Sequence, residues 1–197
     1  MDYNSIYKNK NLFGTEPHWL VRKILKYKKS GTVLDIGAGQ GRNSLFLAKN
    51  GFEVTAIDTS AEGIKKIQES VARDGLSVET EIADINGFKF EKQYDVIVVL
   101  FALQHLIKDD VPVLLEKING HTALYGLNVV AAFTTEGDFY KLQRNRKYFY
   151  PAPGQLKETY KDWNVLEWEE KQSTAFQKDK EGRQLKNLTS FLISQKR

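Results

Sequence analysis

The chain has 197 residues, the size of one compact α/β domain that can bury a sizeable core. It contains no cysteine, which excludes disulfide bonds, thiolate zinc sites and cysteine nucleophiles and makes a cytoplasmic location our expectation. The net charge of +4 permits nucleic acid or anionic partners, although we favour an ordinary solvated surface.

The first two thirds of the chain predict alternating strands and helices. A first helix is expected over residues 16–29, where Leu20, Ile24 and Tyr27 share one face. Further helices are expected at residues 43–50, 60–73 and 109–119, and strands at 32–36, 52–57, 77–82, 94–100 and 125–133. The longest apolar run, Val96 to Leu103, is far shorter than a membrane span, and the first residues lack a signal-peptide pattern.

After Phe133 the pattern changes to a polar, basic and aromatic stretch over residues 134–150. A short helix is expected at 154–161, and the last two strands at 165–171 and 188–194. The polar turn at 178–184 is too short for a parallel crossover, so these two strands must pair antiparallel. The fold class we predict is α/β, with a doubly wound, mostly parallel, Rossmann-like sheet of seven strands and a C-terminal antiparallel hairpin.

A glycine-rich loop follows the first strand and leads into a helix. Gly37, Gly39 and Gly41 permit tight backbone geometry and close approach of a ligand, and the helix start offers free N–H groups. In open α/β sheets the ligand binds beyond the carboxyl ends of the strands, where this loop lies. Asp58 ends the second strand, from where its carboxylate can accept both hydroxyls of a ribose.

Two residues decide which nucleotide this loop favours. Arg42 occupies the position where a dinucleotide fingerprint has glycine or alanine. Asp35, just before the loop, would repel a pyrophosphate but suits a cationic ligand such as S-adenosyl-L-methionine. The ordered set of Asp35, three alternate glycines and Asp58 therefore favours S-adenosyl-L-methionine as the cofactor.

Residues 31–135 resemble the class I S-adenosylmethionine-dependent methyltransferases. The acidic glycine loop, Asp58, an acid after the third strand (Asp84) and the segment Gln104-His105-Leu106 all match that family's pattern. The resemblance implies a Rossmann-like fold, methyl transfer and a set of cofactor contacts. These implied contacts are Asp35, Gly37, Ala38, Gly39, Gly41, Asn43, Asp58, Thr59, Asp84, Ile85, Val99 and Leu100.

A closer resemblance, to the tellurite-resistance TehB-type methyltransferases, extends over most of the chain. It is carried by "GRNSLFLAKNGFEVTAID", "GQLKETYKDWNVLEWEE" and the turn from Asp179 to Gly182. Where that family has a His-Arg pair and a later Arg, thought to meet an oxyanion substrate, this chain has Phe176, Gln177 and Gln184. His105 and Arg183 remain as candidate catalytic residues, and tellurite or selenite as the acceptor is put in doubt.

The resemblance also implies a layout of one methyltransferase domain over residues 1–197. Residues 1–30 form a helical cover, 31–135 the cofactor-binding core, and 136–197 a substrate lid with the closing strands. Within the lid the basic residues lie among aromatic rings, an arrangement that suits either a small anionic acceptor or RNA. These basic residues are Lys141, Arg144, Arg146 and Lys147.

The expected partner is a small-molecule acceptor such as a chalcogen oxyanion or a thiol, with no membrane and no nucleic acid. The three histidines have no metal-ligand spacing, so no metal site is predicted. Alternatives left open are a non-catalytic S-adenosylmethionine-binding module, an RNA-directed methyltransferase and an NAD-linked oxidoreductase.

Overall fold

The computed structural model describes residues 2–9, 11–143 and 146–197. Within these residues, seven strands form one sheet in the order β3-β2-β1-β4-β5-β7-β6. The strands are β1 (Gly31–Ile36), β2 (Phe52–Asp58), β3 (Val78–Ile82), β4 (Tyr94–Leu100), β5 (Thr122–Gly137), β6 (Asn164–Lys178) and β7 (Gln184–Gln195). The helices are α1 (Tyr3–Asn9), α2 (Trp19–Arg22), α3 (Ile24–Tyr27), α4 (Arg42–Lys49), α5 (Ala61–Asp74), α6 (Val111–Gly120), α7 (Asp138–Lys141) and α8 (Gln155–Thr159), with a 3₁₀ turn over Leu103–His105.

The sheet has the predicted mostly parallel organisation. Strands β1 to β5 pair in parallel, and β7 runs antiparallel to both β5 and β6. In this register Ile36 lies beside Ile57 and Val99. The carboxyl ends of β1, β2 and β4 therefore meet at one edge, and the segments that follow them line that edge together.

The core lies on both faces of the sheet, because consecutive strand residues point to opposite sides. Val98 packs into the cluster beneath α2, α3 and α4, whereas Val99 packs into the cluster with α6 and α8. Of the helices in the described residues, none is long and apolar enough to cross a membrane.

The helix predicted over residues 16–29 is shorter and divided. It begins at Trp19, because Pro17 disfavours a helical conformation at the residue before it and His18 caps the first turn. The ring Nδ1 of His18 accepts a hydrogen bond from the Leu20 N–H at 3.2 Å. Lys23 then separates α2 from α3.

The C-terminal hairpin is longer than the sequence predicts. β5 continues to Gly137, so residues 134–137, which we placed in the polar stretch after the fifth predicted strand, are strand. β6 reaches Lys178 and β7 begins at Gln184, which leaves only a tight turn over residues 179–183. The antiparallel pairing of the last two strands is confirmed.

Candidate active site

The glycine loop after β1 is tied to the neighbouring strand β2. The N–H groups of Gly37 and Ala38 both donate to the carbonyl of Ile57, at 2.9 and 3.0 Å. Gly39 has φ +59°, a region that favours glycine, and a Cβ there would lie 2.9 Å from the Tyr7 hydroxyl. The loop therefore has little room for a side chain at residue 39.

The Asp58 carboxylate joins this loop to the helix that follows β2. One oxygen accepts from the Gly39 N–H at 2.8 Å, and the other accepts from the Ser60 N–H at 2.8 Å. Each oxygen keeps further acceptor capacity, because a carboxylate oxygen can take two hydrogen bonds. The structure thus presents a fixed acceptor pair at the carboxyl edge.

Asp35 is a buried acid directly beneath the loop. It is 2% exposed, and its Oδ2 accepts from the Ser44 hydroxyl at 2.5 Å. Burial raises the pKa of Asp35 to about 6, because the charged form is poorly solvated there, and the hydrogen bond from Ser44 opposes that rise. The charge of Asp58 raises it further.

These features fit S-adenosylmethionine in two respects. The loop leaves backbone, not side chains, against a ligand, and Asp58 offers acceptors to hydroxyl groups. A buried carboxylate with a raised pKa is also stabilised by a cationic ligand nearby, since opposite charge favours its ionised form.

Other predicted cofactor contacts lie at the same edge but differ in their exposure to solvent and in their hydrogen bonds. Thr59 and Asp84 are exposed, and Asp84 accepts a hydrogen bond from the Asn86 N–H at 2.9 Å. Ile85 is buried. Gly41 has φ +84° and starts α4.

Three further predicted contacts are engaged elsewhere through their side chains. The Oδ1 of Asn43 accepts from the His18 N–H at 2.9 Å, so this amide holds the segment before α2. Val99 and Leu100 are packed in the core clusters. A ligand at this edge would therefore contact chiefly the backbone of β4 and the residues that follow this strand.

His105 lies in the 3₁₀ turn after β4. Its Nε2 is 3.4 Å from the hydroxyl of Tyr3, and the two rings meet edge to face with centroids 5.3 Å apart. Burial among neighbouring groups lowers the pKa of His105, and the negative charge of Asp58 opposes this shift. The imidazole is therefore neutral at pH 7 and able to accept a proton.

The candidate catalytic Arg183 is placed differently from what we expected. It lies exposed in the turn between β6 and β7, where its Nε donates to Asp179 at 2.9 Å. Its backbone N–H also donates to Asp179, at 2.8 Å. The hydrogen bonds of Arg183 within the described residues hold the hairpin turn, and none joins it to His105.

The helix α1 supplies site residues that sequence reasoning missed. Asn4 Oδ1 accepts from both the Ser60 hydroxyl (3.1 Å) and the Glu62 N–H (2.9 Å), which docks α1 on the start of α5. Tyr3 and Tyr7 then face the edge, with ring centroids 5.5 Å apart. Their four-residue spacing, which puts both rings on one face of a helix, was the available signal.

The lid segment is anchored beside His105. Ile107 and Tyr148 form a bridge, and the Phe149 N–H donates to the Leu106 carbonyl at 3.0 Å. Phe149 also packs against the core. The structure therefore holds the neighbouring Tyr150 close to the site, where it interacts electrostatically with Tyr3.

The basic residues of the lid have separate surroundings. The Arg146 guanidinium stacks 5.3 Å from the centre of Tyr140, whose ring lies 5.6 Å from that of Tyr150. Lys147 lies 5.9 Å from the ring centre of Tyr148. Lys141 ends α7, and Arg144 lies outside the described residues.

The positions where we expected departures from the family pattern lie on the hairpin. Gln177 is half-buried on β6 and Gln184 is exposed at the start of β7. The backbone of Phe176 belongs to β6, and its side chain is not among the described features. Over the residues described, no three His, Asp or Glu side chains cluster as a metal site requires.

A parallel sheet closed by a reversed last pair of strands, with a glycine loop after β1 and an acid after β2, defines the fold of S-adenosylmethionine-dependent methyltransferases. The family model described as "Tellurite resistance protein TehB" matches residues 2–192. The chain belongs to the TehB family.

The relatives agree with this assignment. The chain is 33% identical over 166 residues to a probable S-adenosyl-L-methionine-dependent methyltransferase TehB of Haemophilus influenzae, covering 84% of this chain and 57% of that protein. It thus spans little more than half the length of this curated relative. The crystal structure of TehB from Haemophilus influenzae superposes with a TM-score of 0.83 at 29% identity, over 99% of this chain and 67% of that one.

A more distant structure shares the fold alone. Coclaurine N-methyltransferase, solved with N-methylheliamine and SAH bound, has a TM-score of 0.65 at 18% identity. The match covers 90% of this chain and 71% of that enzyme.

Replacing Asp35 with asparagine is expected to stabilise the ligand-free protein at pH 7.5. An unfolded aspartate titrates near pH 4, whereas the folded carboxyl has a pKa of about 6. Between these values the folded state holds the proton more tightly, so the free energy of unfolding falls as pH rises through this window. Asp35→Asn removes that penalty and should raise stability by roughly 1–3 kcal/mol, as measured by thermal unfolding.

The matched control is Asp95→Asn. Asp95 lies near the start of β4, whereas Asp35 pairs with Val98 near the carboxyl end of that strand. Burial would raise the pKa of Asp95, but hydrogen bonds from Thr32 and the charge of Lys28 outweigh it and lower the pKa. Asp95→Asn should therefore reduce stability at pH 7.5. An Asp35→Asn protein that is no more stable than the wild type would contradict the penalty at Asp35.

Proposed function

We propose that this chain is an S-adenosylmethionine-dependent methyltransferase that acts on a small-molecule acceptor. The observation that carries the proposal is the Asp58 carboxylate, held by the Gly39 N–H at the edge above buried Asp35. Membership of the TehB family supports the same reaction class.

Each part of the edge has a proposed role. Asp58 would accept the ribose hydroxyls, and the glycine loop would let the cofactor approach the backbone closely. Asp35 would favour the positive charge of the cofactor. Asp84 and Ile85, at the end of β3, would border the adenine.

When bound, the cofactor supplies a methyl group already activated by a sulfonium charge. The chain's own task is therefore placement of the acceptor's lone pair against that methyl group. Such positioning can contribute roughly 7–11 kcal/mol toward the barrier. This requirement is consistent with a site that lacks an obvious nucleophilic side chain.

The proposed layout follows the predicted one. Residues 1–30 would cover the cofactor, since α1 docks on α5 and faces the glycine loop. Residues 31–135 would bind it. The described part of residues 136–197, which includes the hairpin, would enclose the acceptor.

The acceptor is proposed to be a thiol or a chalcogen oxyanion. Gln177 and Gln184 supply no positive charge, and Arg183 is paired with Asp179, so these three positions offer little compensation for a buried oxyanion. Release of S-adenosylhomocysteine should be measured with tellurite, selenite, thiols and thiopurines. Tight cofactor binding without release in any of these assays would favour the non-catalytic binding module.

Removal of the Asp58 carboxylate is expected to weaken cofactor binding. Charge-assisted hydrogen bonds contribute about 1.5–3 kcal/mol, so Asp58→Ala should lower S-adenosylmethionine affinity about 10- to 100-fold by calorimetry. Asp74→Ala is the matched control, because that exposed carboxylate pairs with Lys49 and Arg73 at the far end of α5. Unchanged affinity in a folded Asp58→Ala protein would rule out the ribose role.

A further inference from the structure

Two residues that lie far apart in the chain meet at the acceptor side of the proposed site. The Tyr3 hydroxyl lies 3.4 Å from His105 Nε2, and the rings meet at an interplanar angle of 81°. Tyr3 reaches this position because Asn4, the next residue, is bonded to Ser60 and Glu62. A phenol and a ring nitrogen at this distance can share a hydrogen bond, and a phenol that donates to an unprotonated ring nitrogen can pass its proton on.

We propose that Tyr3 and His105 form a proton relay, in which Tyr3 contacts the acceptor and His105 receives the proton. The inference rests on the proposed methyltransferase function and deepens it. It assigns the acceptor to the class of neutral, protic nucleophiles such as thiols, which must lose a proton when they are methylated.

The proton balance of the step is complete. A thiol sulfur gains the methyl carbon as the sulfonium–methyl bond breaks, and those bonding electrons stay on the cofactor sulfur. The thiol proton passes to Tyr3 Oη while the phenol proton passes to His105 Nε2. The imidazolium then loses its proton to water, because His105 is exposed to solvent.

The electrostatics of the surrounding groups suit these roles. Burial raises the pKa of Tyr3, and the charge of Asp58 adds to this, so the phenol keeps its proton. Tyr7 and Tyr150, which also face Tyr3, have pKa values raised chiefly by burial. The pKa of His105 is lowered by desolvation, which leaves its ring neutral and ready to accept.

The contact could also serve only to hold α1 in place. A purely structural contact would affect every acceptor alike, because its loss would loosen the cover over the whole site. A relay affects only acceptors that arrive with a proton. The two roles are therefore separated by comparing a protonated thiol with one that is already ionised.

The kinetic test compares 2-mercaptoethanol, which is protonated at about pH 7, with 5-thio-2-nitrobenzoate, which is a thiolate there. Tyr3→Phe should lower kcat at least about 10-fold for 2-mercaptoethanol and less than about 2-fold for the thiolate, as expected for lost proton transfer. Tyr7→Phe is the matched control. It removes a phenol hydroxyl from the same face of α1, beside Gly39 and not beside His105, and should affect both thiols equally.

A second readout needs no turnover. In ¹⁵N-labelled protein saturated with S-adenosylhomocysteine, the His105 ring signal is identified by its loss in His105→Asn. The phenol hydrogen bond stabilises the neutral ring, so its titration midpoint should rise in Tyr3→Phe. An unchanged midpoint overturns the Tyr3–His105 pair.

The outcomes separate the relay from the proposed function. If Tyr3→Phe lowers the turnover of both thiols equally, the relay is overturned and the methyltransferase function still stands. Absence of S-adenosylhomocysteine release with any acceptor overturns the function, and the relay with it. If Tyr3→Phe lowers kcat selectively with 2-mercaptoethanol and raises the titration midpoint of His105, both the relay and the methyltransferase function are supported.

Discussion

The Asp58 carboxylate is the constraint on which the rest of the site depends. Its two oxygens hold the Gly39 N–H and the Ser60 N–H, and so fix the glycine loop against the start of α5. Ser60 in turn caps α5 by accepting from the Gly63 N–H and donates to Asn4 of α1. The cover, the loop and the helix are therefore positioned through one charged group, whose hydrogen bonds to backbone N–H groups are stronger than those between neutral partners.

Asp35 shows the opposite relation between stability and function. Its carboxylate is buried under the loop with Ser44 as its hydrogen-bond donor, and burial raises its pKa to about 6. The ionised form therefore destabilises the ligand-free fold at neutral pH. A cationic ligand would compensate that charge, so binding and folding stability are coupled at this position. Local destabilisation of this kind is common where a protein binds a charged ligand.

The sequence predicted the sheet and the glycine loop with its flanking acids because these depend on local patterns. Apolar runs, spaced glycines and acids at strand ends identify β1, β2 and the loop without reference to distant residues. Tyr3 and His105 are separated by 102 positions, so no local pattern could predict their contact. The outer half of the hairpin was missed for a different reason. β6 is an edge strand whose described side chains are exposed or half-buried, so it lacks the alternation that marks a half-buried strand.

The proposed acceptor side has tyrosines near it, and three positions of the hairpin offer it no free positive charge. Residues 177 and 184 are glutamines, and Arg183 is bound to Asp179, so these positions would not compensate a fully charged acceptor for its lost hydration. Tyr3 and Tyr150 instead present neutral phenols. Such a surface accepts a neutral molecule at little electrostatic cost, but a neutral thiol is a weaker nucleophile than its anion. The site must then generate that anion as the reaction proceeds, which requires a group that takes the proton. In the proposed relay this group is His105, whose lowered pKa leaves it neutral at pH 7.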